Sequence, residues 1–123
     1  MQNNPFPQPI AEQIWNMKYK LTTPNPDIRD DLSVRDTWLR IADACADAPI
    51  QTYGYGMDRP KEEWERISHD RSQEFLSALE DFGFLPAGRI TSGAGTARSV
   101  TLFNCFVMGT IPDSMAGIFD MLK

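Results

Sequence analysis

The sequence predicts a mainly α fold of about four helices and one strand, on three observations. Apolar residues recur at helical spacing in four segments. One β-branched and aromatic run, VTLFNCFV at residues 100–107, has the composition of a buried strand. The length of 123 residues allows one small domain. A net charge of −5, from 17 acidic and 12 basic residues, argues against a nucleic-acid surface.

The first predicted helix covers residues 9–20. Its expected core-facing side is formed by Ile10, Ile14 and Met17. The preceding residues 1–8 are rich in Asn, Gln and Pro, and we expect them to be disordered or to lie on a partner.

The second predicted helix begins after Ser33, a good N-cap, and is about fourteen residues long. Its expected inward side is formed by Val34, Trp38, Ile41, Ala42 and Cys45. We interpret Cys45 as a small hydrophobic residue of the core. A disulfide between Cys45 and Cys105 is not expected in a reducing compartment.

The third and longest predicted helix begins near residues 58–60, where a proline suits the first turn. It extends to about Phe82, and Gly83 is expected to end it in the left-handed C′ position. Its expected inward side is formed by Trp64, Ile67, Phe75, Leu79 and Phe82.

The predicted strand carries Cys105 and is followed by a last helix that begins at Asp113, whose carboxylate can cap the first amides. The apolar stripe of this helix is formed by Met115, Ile118, Phe119 and Leu122. No second strand of similar strength exists to satisfy the edges of this one, and neither a C-cap glycine nor a polar tail follows the helix. We therefore expect the chain to be a part of a larger fold that is cut within the last helix.

Four motifs along the second half of the chain resemble the start of the catalytic domain of ribonucleotide reductases, in particular the adenosylcobalamin-dependent class II enzymes. They are PAGRI (86–90), GAGT (93–96), LFNCF (102–106) and PDSM (112–115). Two earlier segments, IWNMKY (14–19) and DTW (36–38), are similar to the N-terminal helices of that family. The resemblance implies an N-terminal helical region over residues 1–83. It implies that residues 84–123 begin a ten-stranded α/β barrel, whose first strand carries Cys105.

The resemblance also implies the substrate site. Cys105 would be one half of a redox pair that supplies two electrons to the ribose 2′-carbon, and the partner thiol and the radical-bearing thiol would lie outside this chain. Gly88, Asn104 and Cys105 would help to hold the ribonucleotide. Many relatives have serine or threonine at the first two positions, so Gly88 could act only through its backbone.

An allosteric site is implied at Asp113, Ser114 and Met115, where a deoxynucleoside triphosphate or ATP would select the substrate. Adenosylcobalamin is the implied cofactor, bound by parts of the parent protein outside this chain. The implied protein partners are the remainder of the barrel and a second copy in a homodimer. No residue set predicts a metal site, a membrane span or a nucleic-acid partner, and a cytoplasmic location is expected.

Alternatives stay open at this stage. Cys105 could be a buried small hydrophobe, Gly88 a turn residue, and Asp113 only a helix cap. Arg89 and Arg98 could meet phosphates or be solvated. The alternative function is a helical binding or assembly module without catalytic activity, a split-gene remnant, which would bury the apolar stripe of the last helix within itself or in a self-dimer.

Overall fold

Two long helices that pack against each other in antiparallel orientation form the body of the structure, a computed structural model that describes residues 4–107 and 109–122. The α-helices of these residues are α1 (Pro9–Ile14), α2 (Val34–Tyr53), α3 (Lys61–Leu79), α4 (Gly88–Gly93) and α5 (Met115–Asp120). A π-helical turn, Trp15–Tyr19, follows α1, and a 3₁₀ turn, Glu80–Phe82, follows α3. The predicted mainly α class is confirmed. None of the described helices is long and apolar enough to cross a membrane.

The core lies between the π-helical turn, the first half of α2 and the end of α3. Its buried members are Trp15, Val34, Trp38, Ile41, Ala42, Leu76 and Leu79. The ring of Phe6 packs at the edge of this core, with its centroid 5.7 Å from those of Trp15 and Phe82. The prediction that residues 1–8 are disordered or lie on a partner is therefore wrong at Phe6, because its ring has a place in the core of this chain. Residues 1–3 lie outside the described part of that segment.

Trp15, and not the predicted apolar side, faces the core from the first helical segment. Ile10, Ile14 and Met17 are 54%, 38% and 75% exposed, whereas Trp15 is 8% exposed. An indole buries more apolar area than these side chains, and its N–H donates to Thr37 Oγ1 at 2.9 Å. The π-helical turn that begins at Trp15 also breaks the 3.6-residue period on which the prediction rested.

Helix α2 begins at the predicted cap and extends beyond the predicted length. The Asp36 carboxylate accepts a hydrogen bond from the backbone N–H of Ser33 at 3.3 Å, as in a capping box. The helix continues past Pro49 and ends at Gly54, whose φ of 73° is left-handed. Glycine adopts this conformation without the steric cost of a Cβ.

Helix α3 ends at Leu79, before the predicted Phe82, and Gly83 does not have the predicted left-handed role. Gly83 has a φ of −61°, while Asp81 and Phe82 have φ values of 54° and 59°. Left-handed backbone costs a non-glycine residue about 1–3 kcal/mol. The turn places the Phe82 ring edge-on against Trp38, with 5.4 Å between centroids, and this packing offsets the strain.

The side of α3 that faces α2 is polar in its middle part. The sequence predicts only apolar residues on that side. Ser68 donates a hydrogen bond to Asp47, and Ser72 donates one to Asp43. These bonds satisfy two buried serine hydroxyls. Among the predicted inward residues of α3, Leu79 is buried. Those that are only partly buried or exposed are Trp64, Ile67, Phe75 and Phe82.

A buried ion pair joins α2 to the loop before it. Arg40 Nη2 lies 2.9 Å from Asp31 Oδ2, and the two side chains are 8% and 4% exposed. The same carboxylate oxygen accepts from the Leu21 backbone N–H at 3.0 Å and from the Thr37 hydroxyl at 2.7 Å. Additional hydrogen bonds of this kind are what makes a desolvated ion pair tolerable.

The Arg40 guanidinium also holds the end of α4. Nη1 donates to the Ala94 carbonyl at 2.7 Å, and Nη2 donates to the Thr91 carbonyl at 2.9 Å and to the Tyr19 carbonyl at 3.3 Å. The last carbonyls of a helix lack intrahelical partners. One side chain therefore connects α2, the π-helical turn and α4.

Residues 100–107 do not form the predicted strand, and the described residues contain no strand. A strand requires interstrand hydrogen bonds, and no second segment within residues 4–107 and 109–122 supplies them. The apolar side chains of the segment are accordingly exposed, with Phe103 72% and Val107 96% accessible. Met108 lies outside the described residues. The barrel itself stays a prediction.

The C-terminal helix is present where the sequence predicts it, as α5. Its stripe is exposed, with Met115, Ile118, Phe119 and Leu122 between 43% and 77% accessible. Lys123 lies outside the described residues. The segment between α3 and residue 100, for which the sequence predicts neither a helix nor a strand, contains the short helix α4.

Replacing Arg40 by glutamine should lower the free energy of unfolding by about 3–5 kcal/mol, because it leaves the Asp31 carboxylate buried without its cation. Urea denaturation followed by tryptophan fluorescence measures this loss. Arg35→Gln is the matched control on the same helix, since Arg35 is 58% exposed and pairs with Glu80 at 2.5 Å; its loss should stay below about 1 kcal/mol. Equal losses in the two variants would contradict the role given to Arg40.

Candidate functional site

Cys105 lies in the irregular segment that follows the GAGT motif (residues 93–96), and its side chain is exposed. Both cysteines of the chain are free thiols. The rings of Phe103 and Phe106, on either side of Cys105 in the sequence, meet edge-on with 6.4 Å between their centroids. The interpretation of Cys105 as a buried small hydrophobe therefore does not apply in this structure. An exposed free thiol is open to reaction with another sulfur.

Close packing on Gly93 holds the start of this segment. A Cβ at residue 93 would lie 2.8 Å from Val100 Cγ2 and 3.3 Å from Leu102 Cδ2. Any larger residue would push the two side chains away, so the glycine of the GAGT motif has a packing role. A further restraint comes from the Phe103 backbone N–H, which donates to Thr101 Oγ1 at 3.2 Å.

Two predicted substrate contacts, Gly88 and Asn104, lie on different parts of the structure. Gly88 is the half-buried first residue of α4, and a Cβ built there would lie 3.5 Å from the Tyr19 hydroxyl oxygen. Asn104 is exposed beside Cys105. The polar group that Gly88 could offer a ligand is its backbone, as the sequence implies.

The three predicted effector residues surround the start of α5. Ser114, and not Asp113, is the N-cap: its Oγ accepts from the Gly117 backbone N–H at 3.0 Å. The expectation that the Asp113 carboxylate caps the helix is wrong, because a serine placed three residues before that amide reaches it directly. Asp113 and Met115 are exposed.

Within the part of the chain that the structure describes, no hydrogen bond, ion pair or ring contact joins Gly88, Cys105 and Asp113. Sequence reasoning missed the Asp31–Arg40 pair that positions α4, and it did not connect Lys18 with Arg89 and Arg98. The fold places both arginines with Lys18 around one cleft. Comparison of the chain with models of protein families, with curated proteins and with solved structures gave no match.

The second cysteine, Cys45, was predicted to fill the core, but it lies at the surface in an apolar cleft of about 260 Å³. Phe75, Phe84 and Ile90 are among the side chains that line this cleft. Burial there raises the pKa of the Cys45 thiol above its ordinary value. A raised pKa lowers the fraction of reactive thiolate at any pH below it. The Cys45 thiol is therefore expected to be less reactive than an exposed thiol with an ordinary pKa.

Iodoacetamide should modify Cys105 faster than Cys45 at neutral pH, because burial against the apolar cleft raises the pKa of the Cys45 thiol. The rate at Cys45 should increase as the pH approaches its raised pKa. Mass spectrometry of the two tryptic peptides after timed quenching measures both rates. Denaturation in urea should abolish the difference between the two rates. Faster modification of Cys45 than of Cys105 in the folded chain would contradict the raised pKa of the Cys45 thiol.

Proposed function

We propose that this chain is the N-terminal part of an adenosylcobalamin-dependent ribonucleotide reductase, in which it supplies one redox-active thiol and part of the allosteric effector loop. The observation that carries the proposal is the exposed free thiol of Cys105 within the LFNCF motif. The PAGRI and GAGT motifs before it and the PDSM motif after it support the same family. The proposal places the chain in the cytoplasm of the cell.

The proposed reaction replaces the ribose 2′-hydroxyl by hydrogen. The C2′–O bond breaks and the hydroxyl leaves as water, while two thiols are oxidised to one disulfide. The dithiol supplies two electrons and two protons, so that ribonucleotide and dithiol give deoxyribonucleotide, disulfide and water. Cys105 would be one of the two thiols, and a cysteine elsewhere in the parent protein would be the other. Thiol–disulfide exchange with a reductant would then restore the pair.

The substrate would lie against Gly88 and Asn104 in this proposal. The Gly88 backbone permits close approach of a ligand atom, since no Cβ is in the way. The Asn104 amide can donate and accept hydrogen bonds beside the thiol. Adenosylcobalamin, when bound, would supply the radical that initiates the reaction. We assign none of its contacts to the described residues.

The effector role would fall on Asp113, Ser114 and Met115. The Asp113 carboxylate is exposed and does not cap α5, so it can accept hydrogen bonds from a nucleoside. Ser114 Oγ already accepts one hydrogen bond and can donate its own hydrogen to a ligand. A second subunit of a homodimer would complete this site.

Two steps test the proposal. The coding sequence beyond codon 123 should continue in frame into the remaining barrel with the partner cysteine. The complete product, supplied with adenosylcobalamin, a dithiol reductant and a nucleoside triphosphate effector, should convert ribonucleotides to deoxyribonucleotides. A stop codon at that place would overturn the proposal for a single-chain enzyme.

In that complete protein, Cys105→Ser should reduce multiple turnover by at least about a thousandfold, because one of the two electron-donating thiols is lost. Deoxyribonucleotide formation measured by chromatography is the readout. Cys45→Ser is the matched control, since Cys45 is the other free thiol of the chain, and it should retain turnover. Normal turnover in Cys105→Ser would remove this thiol from the mechanism.

Asp113→Ala in the complete protein should weaken the dependence of substrate choice on the bound effector. Since Ser114 supplies the N-cap, the Asp113 substitution should leave α5 intact. The measurement compares reduction rates for the four ribonucleotides with each effector. An unchanged pattern of rates would show that Asp113 takes no part in effector binding.

A non-catalytic binding module is the second candidate, and the exposed apolar stripe of α5 favours it. Contiguous exposed apolar surface is typical of an interaction site. The two candidates differ in what covers the stripe: further barrel segments in the enzyme, or a second copy in the module. Sedimentation of the 123-residue chain with and without Phe119→Ser distinguishes them. The module buries the stripe in a self-dimer, which this change should weaken, whereas the enzyme covers the stripe with barrel segments, so the change should leave the association state as it is.

A further inference from the structure

Three basic side chains line one cleft beside the GAGT motif (residues 93–96). Lys18 comes from the π-helical turn, Arg89 from α4 and Arg98 from the loop that follows α4. The cleft has a volume of about 240 Å³, and Ser92 and Thr101 also line it. Lys18 is far in sequence from Arg89 and Arg98, so the fold brings it to the two arginines.

The positive charge in this cleft is not neutralised within the described residues. No Asp or Glu lines the cleft, although acidic residues outnumber basic ones by 17 to 12 in the chain. None of the three cations belongs to an ion pair of the described residues. Like charges gathered around a small space repel one another, and an anion placed between them would reverse the sign of that interaction.

Hydroxyl groups complete the cleft as donors. Thr101 Oγ1 accepts a hydrogen bond from the Phe103 backbone N–H at 3.2 Å, which leaves its own hydrogen available to a ligand. The Ser92 hydroxyl lies 3.5 Å from the Arg89 carbonyl oxygen, a long contact that a better acceptor would replace. The side-chain donors of the cleft therefore exceed the acceptors that the chain offers them.

The walls of the cleft are held in place by contacts already described. Val100 packs against Gly93 on one side, and the end of α4 is bound to the buried guanidinium of Arg40. Arg98 is oriented by a hydrogen bond of 3.3 Å from its Nη2 to the Thr22 carbonyl. A site whose walls are fixed loses less conformational entropy when a ligand binds.

We propose that this cleft binds an oligophosphate group, either as free polyphosphate or as the phosphate chain of a nucleotide. Arginine forks and a lysine point charge match several phosphate oxygens at once. The volume of about 240 Å³ is smaller than the roughly 300–1,000 Å³ of typical small-molecule pockets. The cleft therefore suits a phosphate chain and leaves a nucleoside outside it. This site does not depend on the proposed reductase function, since it uses neither Cys105 nor residues 113–115.

The test is calorimetric titration of the 123-residue chain, in phosphate-free and sulfate-free buffer, with tripolyphosphate, ATP and adenosine. Tripolyphosphate should bind, and its affinity should decrease as the salt concentration increases, because exposed charges are screened. Equal affinities for tripolyphosphate and ATP would support recognition of the phosphate chain alone. Tighter ATP binding would support a nucleotide as the source. Binding of adenosine without binding of tripolyphosphate would overturn the proposal.

Three variants locate the site. Lys18→Gln and Arg89→Gln should each weaken tripolyphosphate binding by about fivefold, which corresponds to about 1 kcal/mol for an exposed charge pair. Neither side chain makes a hydrogen bond in the described residues, so both variants should fold normally. Arg71→Gln removes the same charge from the exposed surface of α3 and should leave the affinity unchanged. Equal weakening by all three variants, or none by the first two, would overturn the proposal.

Discussion

The buried pair of Asp31 and Arg40 is the constraint on which the rest of the structure depends. The Asp31 carboxylate receives the guanidinium, a backbone amide and the Thr37 hydroxyl, and Thr37 in turn accepts from the indole of Trp15. Removing any one partner leaves a buried polar group unsatisfied, which costs more than the bond contributes. The network therefore requires the π-helical turn, α2 and α4 to keep one relative arrangement.

Sequence patterns predicted the parts of the fold that depend on local interactions. Ser33 and Asp36 marked the start of α2, and the spacing of Val34, Trp38 and Ile41 marked its buried side, because capping and helical periodicity act within a few residues. The same patterns could not identify Arg40 as buried. An arginine on a helix is normally predicted to face solvent. The partners of Arg40, Asp31 and Ala94, belong to other segments of the chain, so helical periodicity does not reveal them.

Non-local interactions decided the elements that were predicted wrongly. Residues 100–107 have the composition of a strand, but strand formation requires a neighbouring strand, and the described part of the chain contains none. At the end of α3, packing of Phe82 against Trp38 overrode the local preference for a left-handed glycine. In the first helical segment, the Trp15 indole is buried and its N–H is hydrogen-bonded, whereas the predicted aliphatic side chains stay exposed.

The candidate functional residues divide according to whether the core holds them. Gly88 and Arg89 lie on α4, whose end is held by Arg40. The other two cations of the proposed oligophosphate cleft, Lys18 and Arg98, lie on the π-helical turn and next to the segment that packs on Gly93. Cys105 and residues 113–115 lie on a segment whose apolar side chains face solvent. An apolar surface of this kind is normally covered by a partner, so the geometry of the thiol depends on whatever covers it. The cleft takes Val100 and Thr101 from the start of this segment, where packing on Gly93 holds it, so its ligand should bind to the chain without a partner.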